Sequence, residues 1–193
     1  MEEGLFGSQF PPPHTSPADF ERQVRAMLDA MGHQVLEYRS EHQEVVQGLD
    51  GEYEIDVTVR FSAFGMDFLV LIECKHHKNR IKRDVLQVLQ SRVASVGAQK
   101  GIVFSTAGFQ SGSLEYAKAH GLGTVQVVDG RSIYLTRSFQ AEPVRPQPFV
   151  DDPVLAGWLT DGKHFSLVSA DYGDGLADFI FGHKLPGRPL DCG

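Results

Sequence analysis

Residues 73–75 read Glu-Cys-Lys and follow directly on five apolar residues, Phe68 to Ile72, with no turn residue between them. Alternate side chains of a strand share a face, so Glu73 and Lys75 point one way and Cys74 the other. A second carboxylate, Asp56, lies on the preceding candidate strand, "YEIDVTVRF". There Ile55, Val57, Val59 and Phe61 form one face, and Glu54, Asp56, Thr58 and Arg60 the other. If the two strands pair, the carboxylates of Asp56 and Glu73 converge, and such crowding shifts a pKa or recruits a cation. A hard ion such as Mg2+ is the economical partner, because it takes oxygen ligands and is commonly held by one or two carboxylates plus phosphate. Lys75 beside it could orient or activate a water and stabilise charge growing on a phosphate. The set D…ExK therefore suits hydrolysis of a phosphodiester.

A lone E-x-K triplet is more often a solvated cross-strand ion pair. Three neighbours tip the balance here: Asp56, the apolar run before Glu73, and the basic residues after it. From Lys75 to Lys100 the chain has seven basic residues and one acid, a local charge of +6 within a protein of net charge −7. Lys78, Arg80, Lys82 and Arg83 fall between the catalytic strand and the next helix, placed to grip a nucleic-acid backbone. Positive charge at a helix start opposes the helix dipole, so these residues favour an anionic partner. His76 and His77 are adjacent on a strand and cannot both reach one ion, which leaves phosphate contact by one of them, or plain exposure.

The elements that must position these residues follow from periodicity. "SPADFERQVRAMLDAMG" supplies Ser16 as N-cap, Pro17 at the first helical position, apolar residues at Phe20, Val24, Met27, Leu28 and Met31, and Gly32 as a stop. A short strand is expected at "HQVLEY", with a polar loop to Gly51. "YEIDVTVRF" and "FLVLIECK" are strands, the second central. "RIKRDVLQVLQSRVASVG" is a helix, "KGIVFST" a strand, "FQSGSLEYAKAHG" a helix closed by Gly121, and "GTVQVVDG" a strand. The order predicts an α/β protein with a mixed central sheet flanked by helices. Around this body we expect an N-terminal arm (residues 1–16, with Pro11 to Pro13), a nuclease-sized domain (17–137), a proline-rich linker (138–153) and a C-terminal extension (154–193). In that extension "HFSLVS" and "ADFIFGHKL" could form a hairpin.

At 193 residues the chain can bury a proper core, and 41% hydrophobic against 22% charged residues is a globular composition. The acidic start lacks the features of a signal peptide, no apolar run is long enough to span a bilayer, and Cys74 and Cys192 make a poor disulfide framework. A cytoplasmic protein with no membrane partner is expected. His164 and His183 show no ligand spacing.

The segment from Phe20 to about Gly130 resembles the catalytic domain of Mrr-like restriction endonucleases, within the PD-(D/E)xK nuclease superfamily. The residues that carry the likeness are "DFERQVRAMLDAMGHQV", "DGEYEIDVTV", "FLVLIECKHH" and "GIVFSTAGFQSGSLEYAKAHG". The resemblance implies a restriction-endonuclease-like α-β-β-β-α-β core. It also implies Mg2+, for which Mn2+ may substitute, held by Asp56, Glu73 and the backbone carbonyl of Cys74, with Lys75 positioning the attacking water. Glu21 matches a first-helix acid that relatives direct toward the metal, and Gln87 a polar residue that some place over the site. Two features depart from the pattern. The run before the aspartate, "GLDGEYEID", carries Glu52 and Glu54, either of which could join a second metal site, and no DNA-reading domain is evident. The expectation is a Mg2+-dependent endonuclease acting on DNA in restriction or anti-phage defence, activated by homo-oligomerisation or by a separate recognition protein. The rival expectation is a catalytically silent nucleic-acid-binding or assembly module of the same fold.

Overall fold

Ser16 accepts a hydrogen bond from the Asp19 backbone N–H through its hydroxyl, and Pro17 opens the first helix, α1 (Pro17–Met31). In the computed structural model, which describes residues 13, 15–32, 35–63, 65–129, 155–160, 165–169 and 174–181, three strands follow: β1 (Leu36–Gln47), β2 (Glu52–Ala63) and β3 (Met66–Lys75). Then come α2 (Arg83–Val96), β4 (Lys100–Ser105), α3 (Ser111–His120) and β5 (Gly123–Asp129). After residues outside the described set come β6 (Leu155–Thr160), β7 (Phe165–Val168) and α4 (Asp174–Phe181).

All seven strands form one sheet in sequence order. β3, β4 and β5 are parallel, joined by the α2 and α3 crossovers, while the outer strands on both sides run antiparallel. The sheet is mixed and helix-flanked, as expected. Val70, Ile72, Ile102 and Phe104 face a core with Phe20 and Val24 of α1 and Leu176 of α4. Leu71 and Val103 face the opposite core, with Leu86 and Leu89 of α2 and Ala117 of α3. Covered on both sides, β3 can be continuously apolar up to its working end.

Three expectations need correction. The stretch to Gly51, read as a polar loop after a short strand, is mostly β1, a strand of 12 residues. It is polar because its helix-facing side chains meet a polar stripe on α1, where Glu21, Arg25 and Asp29 recur every fourth residue. Arg25 donates to the Ser40 hydroxyl and carbonyl at 2.8 Å each, and the Ser40 hydroxyl donates to Asp29 at 2.6 Å.

The single apolar face assigned to β2 is also divided. Val57, Val59 and Phe61 pack toward α1, but Ile55 packs with α2 and α3. Gln43, on the partner strand, has φ 53° in the left-handed region, and the side-chain alternation inverts there although the register does not slip: His42 lies opposite Val57 and Glu44 opposite Ile55.

In the C-terminal extension, β7 covers most of "HFSLVS", but its hairpin partner is β6, "LAGWLT". "ADFIF" lies in α4, where Leu176, Phe179 and Ile180 have helical spacing. β6 was hidden by its small residues: a Cβ on Gly157 would stand 2.5 Å from Val125 Cγ1, so only glycine fits against β5. Through β6 the extension continues the main sheet. Residues 1–12 and 14 of the expected arm (1–16), the linker at 138–153, His164, His183 and Cys192 lie outside the described residues.

Candidate active site

β2 and β3 pair from Ala63 opposite Met66 to Val57 opposite Ile72, and the ladder ends there. The next free donor on β3, the Cys74 backbone N–H, is taken by the side chain of Asp56 instead, at 2.6 Å to Oδ2. Asp56 is thus held at the point where the two strands part, beside the end of β3 that carries Glu73 and Lys75.

Glu73 is buried, at 8% exposure, and bridges two cations. Its Oε1 accepts from Lys75 Nζ at 2.5 Å and its Oε2 from Arg92 Nη1 of α2 at 2.7 Å. Asp56 has no such compensation. Burial pushes its carboxyl up to about 6; the Cys74 N–H and Lys75 pull it down, and the charges of Glu73 and Glu21 push it further up. Glu21 is pinned on α1 by His42 Nε2 at 2.8 Å and Gln43 Nε2 at 3.3 Å. Glu73 and Lys75, singled out by strand pattern, and Glu21, singled out by the family resemblance, all act electrostatically on Asp56. Burial, and the surrounding carboxylates after it, push the Cys74 thiol well above its ordinary range, and its side chain packs in the α1-side core. A thiol so placed is a poor nucleophile.

The other predicted residues are more dispersed. His76 is exposed, with its ring edge-on to Phe20 at 6.0 Å. Thr106 clamps the strand exit: its hydroxyl accepts from the His77 N–H at 3.1 Å and donates to the His77 carbonyl at 3.0 Å, while its own N–H reaches the Lys75 carbonyl. Lys78, Arg80, Lys82 and Arg83 are all exposed where the chain leaves β3 and enters α2, and the Arg83 guanidinium lies 4.9 Å from the centre of the Tyr116 ring. Gln87 is exposed on α2, and the α2 side chain that bonds Glu73 is Arg92. Glu52 and Glu54 are exposed on β2.

Arg92, His42 and Gln43 escaped the sequence reading. Arg92 had a signal, since it sits three residues after Leu89 and four before Val96, within the apolar stripe of α2, where a charge needs a partner. His42 and Gln43 had none once their segment was read as a loop.

Among the described residues, no three His, Cys, Asp or Glu side chains stand together as a ready metal cage. The donor set nevertheless fits a hard cation. Asp56 is a carboxylate whose charge is opposed by two acidic neighbours, and Mg2+ ordinarily needs only one or two protein carboxylates, with waters completing its shell.

A family model described as a restriction endonuclease, the Mrr catalytic domain, matches residues 14–134, well over half of the chain. The chain belongs to this family. The matched span runs from the residues before α1 to just beyond β5, so β6, β7 and α4 lie outside it. Membership supports a restriction-endonuclease-like nuclease. No curated protein matches the chain. One solved structure, "Crystal Structure of Protein of Unknown Function AF1548", aligns with a TM-score of 0.45 and 21% identity over 55% of this chain and 56% of its own length. The chain therefore spans little more than half of that structure. No helix among the described residues is long and apolar enough to cross a membrane.

Proposed function

We propose that this Mrr-family protein is a divalent-cation-dependent endonuclease that hydrolyses DNA phosphodiester bonds, serving restriction or anti-phage defence in the cytoplasm. The observation that carries this reading is the meeting of Asp56 and Glu73 at the parting of β2 and β3, with Lys75 on Glu73 and burial plus neighbouring acids holding Asp56 at about 6.

Asp56, Glu73 and the Cys74 carbonyl hold Mg2+, with Mn2+ as a substitute. Bound there, the ion supplies positive charge to the phosphate and acidifies water. Lys75 orients the attacking water and offsets the negative charge that grows on the phosphate oxygens. Glu21, fixed by His42, acts on the same neighbourhood through water. His76, Lys78, Arg80, Lys82 and Arg83 hold the DNA backbone, and Gln87, exposed on α2, adds a polar contact over the site. Homo-oligomerisation or a separate recognition protein supplies target choice and activation.

Plasmid incubated with Mg2+ or Mn2+ is expected to be nicked or linearised by the wild type, and at a rate lower by about 10³-fold or more by Glu73→Ala and Lys75→Ala. Cleavage that survives in both variants overturns the assignment. The engagement of both Glu73 oxygens by Lys75 and Arg92 favours one alternative, a silent DNA-binding module. That reading predicts DNA binding without cleavage and indifferent to Glu73→Ala.

A further inference from the structure

Glu73 has two oxygens, and each is paired with a cation: Oε1 with Lys75 and Oε2 with Arg92. Each oxygen keeps a second lone-pair site, but a divalent ion on this carboxylate would stand beside two cations, and that repulsion is relieved if one of them gives way. Lys75 is adjacent in the same strand, and its backbone carbonyl is tied to Thr106, so it stays near Glu73 whatever its ammonium does. Arg92 reaches in from α2 on a long, partly exposed side chain, 26% accessible, that can turn toward solvent. It is the partner able to leave.

The charges give the exchange a direction. Around the site stand three carboxylates, Glu21, Asp56 and Glu73, against two side-chain cations, Lys75 and Arg92. An added divalent ion turns that small negative excess into a positive one, and the group then missing is an anion. A guanidinium released from a carboxylate binds a phosphate diester with the same planar fork.

We propose that Arg92 is a placeholder cation: it occupies Glu73 until a divalent ion displaces it, and then transfers to the phosphate of the nucleic acid. Ion and DNA binding are thereby coupled through one side chain, each favouring the other, as linkage requires. The inference rests on the nuclease reading above and adds to it a residue that enforces the order of assembly.

Two measurements test it, neither requiring turnover. Titration calorimetry with Mn2+ at pH 8, without nucleic acid, is expected to give about tenfold tighter binding for Arg92→Gln than for the wild type, because a like charge has been removed from beside the ion. Arg92→Lys, which keeps a charge but loses the fork, should fall between them. Fluorescence anisotropy with a short duplex in Ca2+ or in chelator is expected to show an ion-dependent gain in DNA affinity for the wild type. Arg92→Gln should lose most of that gain while matching the wild type in chelator.

An Arg92 that merely ties α2 to the sheet predicts otherwise: Mn2+ affinity no higher in either variant, or the full ion-dependent gain retained. Either result overturns the proposal, and Arg92→Lys alone decides if Arg92→Gln does not fold. A wild type that neither binds Mn2+ nor cleaves DNA overturns the nuclease reading itself, and this inference with it. A wild type that does both, beside unaltered Arg92 variants, overturns the placeholder role alone.

Discussion

Two clusters of charge share strand β2 and behave in opposite ways. In one, Glu44 of β1 receives hydrogen bonds from Thr58 and, at 2.5 Å, from Arg60, both of β2. Partial burial pulls its carboxyl upward, but the bonds from Arg60 and Thr58 outweigh burial and hold it below the usual glutamate range. In the other, Asp56 is half-buried, and burial together with the charges of Glu73 and Glu21 outweighs the Cys74 N–H and Lys75, so that it rises to about 6. Both carboxylates belong to a β1–β2 hairpin, so fold alone does not explain the difference. Glu44 has the partners that stabilise an ionised side chain. Asp56 lacks them, and an unrelieved carboxylate at a strand end is what an incoming cation can use.

The widest separation between the two clusters is expected in catalysis. Glu73→Ala removes the central carboxylate of the unbalanced cluster, and cleavage should fall about 10³-fold or more. Glu44→Ala removes the corresponding carboxylate of the balanced one and should leave cleavage at the wild-type rate. Plasmid conversion by the two variants at equal concentration makes the comparison. Equal losses would dissolve the distinction and make the whole hairpin a single functional unit.

Much of this was legible before any coordinates. The α1 cap, the alternation of β3 and the position of Glu73 and Lys75 follow from local rules, since each is fixed by residues within a turn or a strand of one another. What escaped depended on distant partners. β1 looked like a loop because Ser40, His42 and Glu44 are polar, and they are satisfied only by α1 and by β2, which sequence periodicity cannot display. The division of the β2 face at Ile55 coincides with the left-handed backbone of Gln43 on the paired strand, a partner that periodicity within β2 cannot display. Arg92 was counted as part of a basic region when its position in the apolar stripe of α2 marked it as a partner for a buried acid.

A smaller effect should appear in stability, with the sign reversed between the clusters. The folded state raises the Asp56 carboxyl from its ordinary 3.8 to about 6, so ionised Asp56 opposes folding. This penalty is absent below the unfolded value, where both states are protonated, and is complete above about 6. Asp56→Asn keeps an acceptor for the Cys74 N–H and removes the charge. At pH 7.5 in chelator it should stabilise the protein by about 1–2 kcal/mol, a figure reduced from the full shift for solvent screening. The advantage should shrink between pH 6 and 4, as read by urea denaturation. Saturating Mn2+ should reverse the ranking, raising the melting temperature of the wild type but not of the variant, because only the native site binds the ion.

The smallest effect is expected at Glu44. A carboxylate held below its ordinary range contributes stability above that range, and the contribution is lost as pH falls through the folded value. Glu44→Gln should therefore destabilise the protein by about 0.5–1 kcal/mol at pH 7, a loss of about 1–4 °C in melting temperature, since the pair with Arg60 is partly exposed. The deficit should narrow as the pH is lowered through the glutamate range, and Mn2+ should leave it unchanged. A Glu44 deficit that responded to Mn2+ would mean that the ion communicates with the balanced cluster. The route would then run through the β1–β2 pairing, where Gln43 bonds Glu21 and Glu44 is the next residue.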